Sequence, residues 1–299
     1  MPAASNPRCM PLHAHGAPNW IDLHTAEVDT ARAFYDALLG WTYRNRFTLT
    51  AVPDHPTPVV PSAELKNSGS PEAVDPNSTT VMAMSNHHPV AEFVERSSTY
   101  SPMDLVSSWS PYIYVNDLQA TLALVEPAGG LVLSPPARRG DLAIVATILD
   151  PNDALLCLWE PVEDPGCAVM HQAGALTWLE LETSDLDSAK KFYGELFGWN
   201  AGEVTLNNGV TEQEYTVFTK GGDRVAGAVE SAMDQIHASW CPSFAVADVD
   251  AAIAISTRCG GVLLAEPMDI PVGCQASIVD PTGASFSVLG PKVTGPRPL

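Results

Sequence analysis

Apolar and polar positions alternate with period two over residues 20–24. Ile21 and Leu23 fall on one face, and Trp20, Asp22 and His24 on the other. The period then lengthens. Ala31, Phe34 and Leu38 recur at helical spacing over residues 29–39, with Asp29 or Thr30 as the expected cap and Gly40 where a helix-ending glycine belongs. Strand, helix and a further strand beginning near Trp41 follow. Pro- and Ser-rich residues 51–80 predict a loop, residues 79–84 a strand, and residues 85–107 show no clear period. A second unit starts at Trp109, with a strand closed by Asp117. A helix over residues 120–126, Gly129-Gly130, two strands around Pro135-Pro136 and residues 144–149, the turn at Asp150-Pro151 and a last strand over residues 155–159 complete it.

The whole pattern comes back. Trp20, Phe34, Gly40 and Trp41 recur as Trp178, Phe192, Gly198 and Trp199 at an interval of 158 residues. Trp109, Asp117, Gly129 and Pro136 recur as Trp240, Asp248, Gly260 and Pro267 at an interval of 131. A fixed offset held across strand, helix and glycine positions marks a duplication. The fall in offset places 27 extra residues in the first copy, in the stretch already read as a loop. The expected organisation is a disordered tail over residues 1–17, a first domain over 18–160 with an insertion at about 51–107, a linker over 161–173, a second domain over 174–291 and a tail over 292–299. Short alternating strands and few helices predict an α+β fold with mixed or antiparallel sheets backed by helices.

Composition narrows the partners. The 299 residues carry 35 Asp and Glu against 15 Lys and Arg, a formal charge of −20, which repels nucleic acid and anionic lipid. No apolar run is long enough to span a bilayer, and the N-terminus does not read as a secretion signal. None of the six cysteines lies in a C-x-x-C pair, so reduced thiols and a cytoplasmic location are expected. There is no nucleotide-binding fingerprint and no serine elbow. Gly221-Gly222-Asp223-Arg224 predicts a hairpin turn, and His87-His88 a solvated pair in the insertion.

The repeated Ala33-Phe34-Tyr35-x-x-Leu38-Leu39-Gly40-Trp41 and Lys191-Phe192-Tyr193-x-x-Leu196-Phe197-Gly198-Trp199, with Val115-Asn116-Asp117, Val246-Ala247-Asp248, the Gly-Gly pairs and the Asp-Pro turns, resemble the glyoxalase/bleomycin-resistance/extradiol-dioxygenase superfamily, the vicinal oxygen chelate fold. The Trp-x-Asp/Glu-Leu start looks like its tandem-domain branch of hydroxylase- or antigen-like proteins. The resemblance implies tandem βαβββ modules forming two glyoxalase-like domains, with curved mixed sheets around cavities. It also implies where a divalent ion would sit in metal-dependent members. Those positions are Trp20, Ser110 and Cys157 in the first copy and Trp178, Cys241 and Ser287 in the second, and none carries the family's His or Glu. The expectation is therefore a cavity without the family's metal site and without a cofactor.

Alternation supplies candidates for what lines the cavity instead. Asp22 and His24 form the catalytic candidate, with Asp22 orienting His24 and His24 moving a proton. Trp20, Ser110, Tyr112, Tyr114, Cys157 and Trp159 in the first copy, and Trp178, Glu180, Glu182 and Cys241 in the second, are the candidate ligand-binding residues. The bland alternatives are ordinary packing for the aromatics and thiols and rim hydrogen bonds for the carboxylates. Phe34, Tyr35, Phe192 and Tyr193 read as helix core. Because it keeps His24 and the tyrosines, the first copy is favoured as the active one. The expected function is a metal-independent protein that binds or transforms a small, aromatic organic molecule in secondary metabolism or resistance, by acid–base lyase, isomerase or cyclase chemistry if it turns over. A glyoxalase-like lyase or dioxygenase-type metalloenzyme, and a non-catalytic interaction protein, are the alternatives. A homodimer is left open.

Overall fold

A computed structural model describes residues 12–46, 80–96, 106–207, 212–231 and 238–292. Four βαβββ modules follow one another. The first is β1 (Pro18–Thr25), α1 (Val28–Leu39), β2 (Thr42–Arg46), β3 (Thr80–Ser85) and β4 (His88–Glu95). The second is β5 (Ser108–Tyr114), α2 (Leu118–Val125), β6 (Leu131–Arg139), β7 (Ala143–Leu149) and β8 (Leu155–Pro161). The third is β9 (Leu176–Thr183), α3 (Leu186–Phe197), β10 (Asn200–Asn207), β11 (Glu212–Lys220) and β12 (Asp223–Glu230). The fourth is β13 (Ser239–Ala245), α4 (Val249–Arg258), β14 (Val262–Leu263), β15 (Met268–Ile270), β16 (Gly273–Val279) and β17 (Ser285–Gly290).

Modules pair through their first strands, which run antiparallel. The first half forms a sheet in the order β2-β3-β4-β1-β5-β8-β7-β6, and the second half β10-β11-β12-β9-β13-β17-β16-β14, with β15 on β16. This is the mixed-sheet α+β architecture expected from the sequence.

The local signals explain most boundaries. Asp117, Asp185 and Asp248 each cap a helix by accepting from the backbone N–H three residues on. α1 departs from expectation, because it begins earlier than Asp29 or Thr30 would have it. Its N-cap is Glu27, which makes no side-chain cap bond, and Thr25 Oγ1 instead accepts from the Glu27 N–H. Gly40 and Gly198 close α1 and α3 in the left-handed conformation, as predicted. Within the stretch read as insertion, residues 88–95 form β4, a central strand. Val90 to Val94 are buried on both faces, so the period-two alternation that marks a half-solvated strand is missing. His87 and His88 are exposed at the tight β3–β4 hairpin, where Asn86 and His87 take positive φ. The insertion proper falls on residues outside those described.

One core spans both halves. It holds Phe34, Tyr35 and Trp41 together with Phe192, Tyr193, Phe244 and Phe286. α1 packs on α4 and α2 on α3, so each helix of one half lies against a helix of the other. The Tyr35 hydroxyl donates to Asp280 in the β16–β17 turn and accepts from Trp109; the Tyr193 hydroxyl donates to Asp150 in the β7–β8 turn and accepts from Trp240. The Trp41 indole donates to Gly174 O and the Trp199 indole to Gly16 O, 2.7 and 2.9 Å. Residues 12–17, read from sequence as tail, thus take part in the repeat: Gly16 and Ala17 are buried, and Gly16 does for the first half what Gly174 does for the second.

Candidate functional site

The concave face of the first sheet gathers the predicted cluster. Trp20, Asp22, Ser110, Tyr112, Cys157 and Trp159 are all buried there, as alternation requires. Tyr114 is half-buried at its edge, 6.0 Å from the His13 ring. Two residues that sequence reasoning missed hold the cluster together. Arg139 at the end of β6 donates to both oxygens of Asp22, at 2.7 and 2.8 Å, and also to Glu92 on β4. Its guanidinium lies over the Tyr112 and Trp159 rings at 5.3 and 5.4 Å. Trp20 Nε1 and the Tyr112 hydroxyl complete the carboxylate at 2.9 and 2.6 Å. Burial alone would raise the Asp22 carboxyl; the Arg139 guanidinium overrides it and holds the group below the usual range. Nothing in the Arg138-Arg139 pair marked this role, because its partners lie on strands far away in sequence.

Asp22 therefore does not orient His24. Its oxygens are taken by Trp20, Tyr112 and Arg139. His24 is half-buried, and among the described residues it makes no hydrogen bond. Burial, reinforced by Arg96 and Arg139, lowers its imidazole to about 4 despite the opposing pull of Asp22, so the ring is neutral at pH 7.

Strand register gives the counterpart of each position in the second half. Trp20 pairs with Tyr112 and Trp178 with Ser243; Asp22 pairs with Ser110 and Glu180 with Cys241. Trp159 opposite Val145 answers to Leu289 opposite Gln275, and Arg139 opposite Ala143 answers to Ile270 opposite Gly273. Glu92 beside Asp22 answers to Gly227 beside Glu180. So Arg139, Tyr112 and Trp159, which fill the first cup, are replaced by Ile270, Ser243 and Leu289. Tyr215 from β11 moves in over Gly227, where a Cβ would stand 1.9 Å from its hydroxyl oxygen.

Among the described residues the second cup is polar without an ion pair. Trp178 Nε1 donates to the Tyr215 hydroxyl, which donates to Glu180 at 2.8 Å. Gln275 Nε2 donates to Glu180 and to Ser287, and Ser287 also meets Ser277 and Cys241. Ser243 Oγ and Gln275 Oε1 are buried and without a partner among the described residues. Burial raises the Glu180 carboxyl, against the hydrogen bonds from Tyr215 and Gln275 and with a push from Glu182. Glu182 and Cys241 are half-buried on the same face. Gln275, Ser277 and Ser287 were findable, since they alternate with core residues Ala276, Ile278, Phe286 and Val288. Burial pushes the Cys157 and Cys241 thiols up to about 12, so neither is an activated nucleophile.

The sequence profile of the Glyoxalase/Bleomycin resistance protein/Dioxygenase superfamily matches residues 17–158 and 175–288. The chain belongs to this superfamily. "Putative glyoxylase CFP32" of Mycobacterium tuberculosis is 33% identical over 280 residues, covering 93% of this chain and 96% of the relative. "Anthracycline biosynthesis protein DauV" of Streptomyces sp. (strain C5) is 30% identical over 285 residues, covering 94% and 95%. Among solved structures, a mutant 4-hydroxymandelate synthase from Streptomyces coelicolor superposes with TM-score 0.59 at 14% identity, covering 96% of this chain and 95% of that one. The 2,3-dioxygenase LapB from Pseudomonas sp. KL28 superposes with TM-score 0.58 at 14% identity, covering 95% and 94%. At that identity these structures share the fold.

The superfamily's metal does not fit the positions that would hold it. Trp20, Ser110 and Cys157 stand at those corners in the first cup, and Trp178, Cys241 and Ser287 in the second. An indole offers no lone pair to an ion, a serine hydroxyl is a weak donor, and both thiols are held protonated by burial. Among the described residues no group of three or more His, Cys, Asp or Glu is arranged to hold a metal ion.

Proposed function

We propose that this protein binds or transforms a small, aromatic organic molecule without a metal, and that the cup of the second half is where it does so. One observation carries the reading. Ser243 Oγ and Gln275 Oε1 are buried without partners on the face that holds Trp178, Tyr215 and Glu180, whereas in the first cup both carboxylates, Asp22 and Glu92, are closed by Arg139, whose Nε alone is left over. A buried hydrogen-bonding group without a partner is costly, and a ligand that bonds it recovers that cost. The two-copy match to a protein named for anthracycline biosynthesis supports a role in secondary metabolism.

If the protein turns over its ligand, Glu180 beside Tyr215 is the proton-transfer group favoured over the Asp22–His24 pair. The Glu180 carboxyl has no cationic partner among the described residues and burial raises it above the usual carboxylate range, while Asp22 is fixed by Arg139. Turnover against stoichiometric protection separates enzyme from binder.

Elemental analysis of protein purified without chelator tests the metal-free half, and a stoichiometric divalent ion overturns it. Native mass spectrometry tests the second half: a co-purified small molecule is expected, and its retention by a Ser243→Tyr variant rejects the site. The name of the mycobacterial relative keeps a glyoxalase-like lyase as the second reading, for which a methylglyoxal–thiol adduct assay is decisive.

A further inference from the structure

The first half supplies an internal template for what the second half binds. In the first cup a carboxylate on β1, Asp22, is met by a flat cation, the Arg139 guanidinium, which makes both in-plane hydrogen bonds and lies over Tyr112 and Trp159. In the second cup the carboxylate is kept, as Glu180, and so is the neighbouring indole, Trp178. The cation is not kept. Ile270 stands at the position of Arg139, and neither Glu180 nor Glu182 forms an ion pair among the described residues. The side chains that enclosed the guanidinium have also shrunk, Tyr112 to Ser243 and Trp159 to Leu289. Arg224 is a basic group whose charge reaches this cup. It acts on Tyr215, is not among the influences on Glu180, and donates instead to the carbonyl of Pro271.

We propose that the second cup takes an organic cation, an ammonium or amidinium group carried on a flat apolar body, with Glu180 as its counter-charge and Trp178 and Tyr215 beside it. The ligand then completes from outside the pair that Arg139 completes from within in the first half. Its apolar body meets Leu206, Val217 and Leu289, which line the same face. The hydrogen-bond acceptors left over, Gln275 Oε1 and Ser243 Oγ, suit the N–H groups of such a cation. The chain's formal charge of −20 draws cations toward the protein at long range. This inference rests on the second cup being the ligand site.

Benzamidine, benzamide and benzoate are isosteric probes bearing a positive, no and a negative charge. Titrated calorimetrically into the full chain, benzamidine is expected to bind at least about tenfold more tightly than either of the others, as one charge-assisted hydrogen bond provides. Glu180→Gln, nearly isosteric, should remove the preference while leaving the melting temperature within a few degrees. Ile270→Arg should abolish benzamidine binding without lowering the melting temperature, because the new guanidinium meets Glu180. Equal binding of benzamide or benzoate, or a preference that survives Glu180→Gln, overturns the cation. If the neutral probe binds and is lost in Ser243→Tyr, the second cup stands as a ligand site and only the charge assignment falls. If no probe responds to any of the three substitutions, both fall.

Discussion

At the scale of single residues, the two cups differ by what stands opposite one acidic side chain. Removing Arg139 leaves Asp22 and Glu92 buried together without a counter-charge. Arg139→Met should therefore cost about 3–5 kcal/mol, read as a fall in the urea midpoint at unchanged slope. Tyr35→Phe and Tyr193→Phe each strip an acceptor from a buried indole and a donor from a turn aspartate. Each should cost about 1–3 kcal/mol by the same measurement. His24 supplies a pH dependence. Its folded value of about 4 lies below its ordinary 6.5, so the unfolded chain takes up the proton first as pH falls. The stability it contributes is complete above pH 6.5, is lost on descending toward about pH 4, and changes no further below that. In denaturant titrations between these limits, wild type should lose about 1–3 kcal/mol more stability than His24→Gln as the pH falls.

At the scale of elements, the Gly-Gly pairs show what a sequence pattern can and cannot disclose. Gly129 and Gly260 hold φ of 94° and 90° at the ends of their helices. The second glycine of each pair has a different reason. A Cβ on Gly130 would lie 2.6 Å from Phe192 Cε2, and one on Gly261 would lie 3.0 Å from Phe34 Cε2. Each pair receives a phenylalanine from a helix of the opposite half. Gly130→Ala must also push against the Leu149 carbonyl, 2.5 Å away. It should cost about 1–3 kcal/mol, visible as a lowered melting temperature. The repeat, the helices and the edges of the alternating strands were legible because local periodicity and capping chemistry write them directly. β4 was not, because burial on both faces erases the alternation. The role of Arg139 was not, because β6 is the edge strand, with three strands between it and β1, and Arg139 reaches Asp22 by its side chain across more than a hundred residues. The lining of the second cup was half-visible: alternation points Glu180, Gln275 and Ser287 inward, yet only the register shows that Ile270 stands where Arg139 does.

At the scale of the whole molecule, tandem copies with a linker suggest two independent domains, and the packing shows otherwise. The helices cross over, α1 to α4 and α2 to α3, and Phe34, Tyr35, Trp41, Phe192 and Tyr193 share one core. The chain should unfold in a single calorimetric transition, with calorimetric and van't Hoff enthalpies equal. Fragments cut at the linker, residues 12–160 and 161–292, should each fail to melt cooperatively alone and regain a joint transition when mixed. Two separate transitions in the intact chain would show that the halves do not depend on each other.

The reciprocal anchoring of Trp41 on Gly174 and Trp199 on Gly16 has a corollary for how the polypeptide behaves when crowded. Each half carries a docking face that its twin on any other molecule could satisfy equally well, since nothing in the contacts themselves distinguishes a neighbour in cis from one in trans. Only the tether of residues 161–173 favours the former. Refolding at high concentration should therefore trap reciprocally exchanged pairs, kinetically stable and native in every contact but that tether.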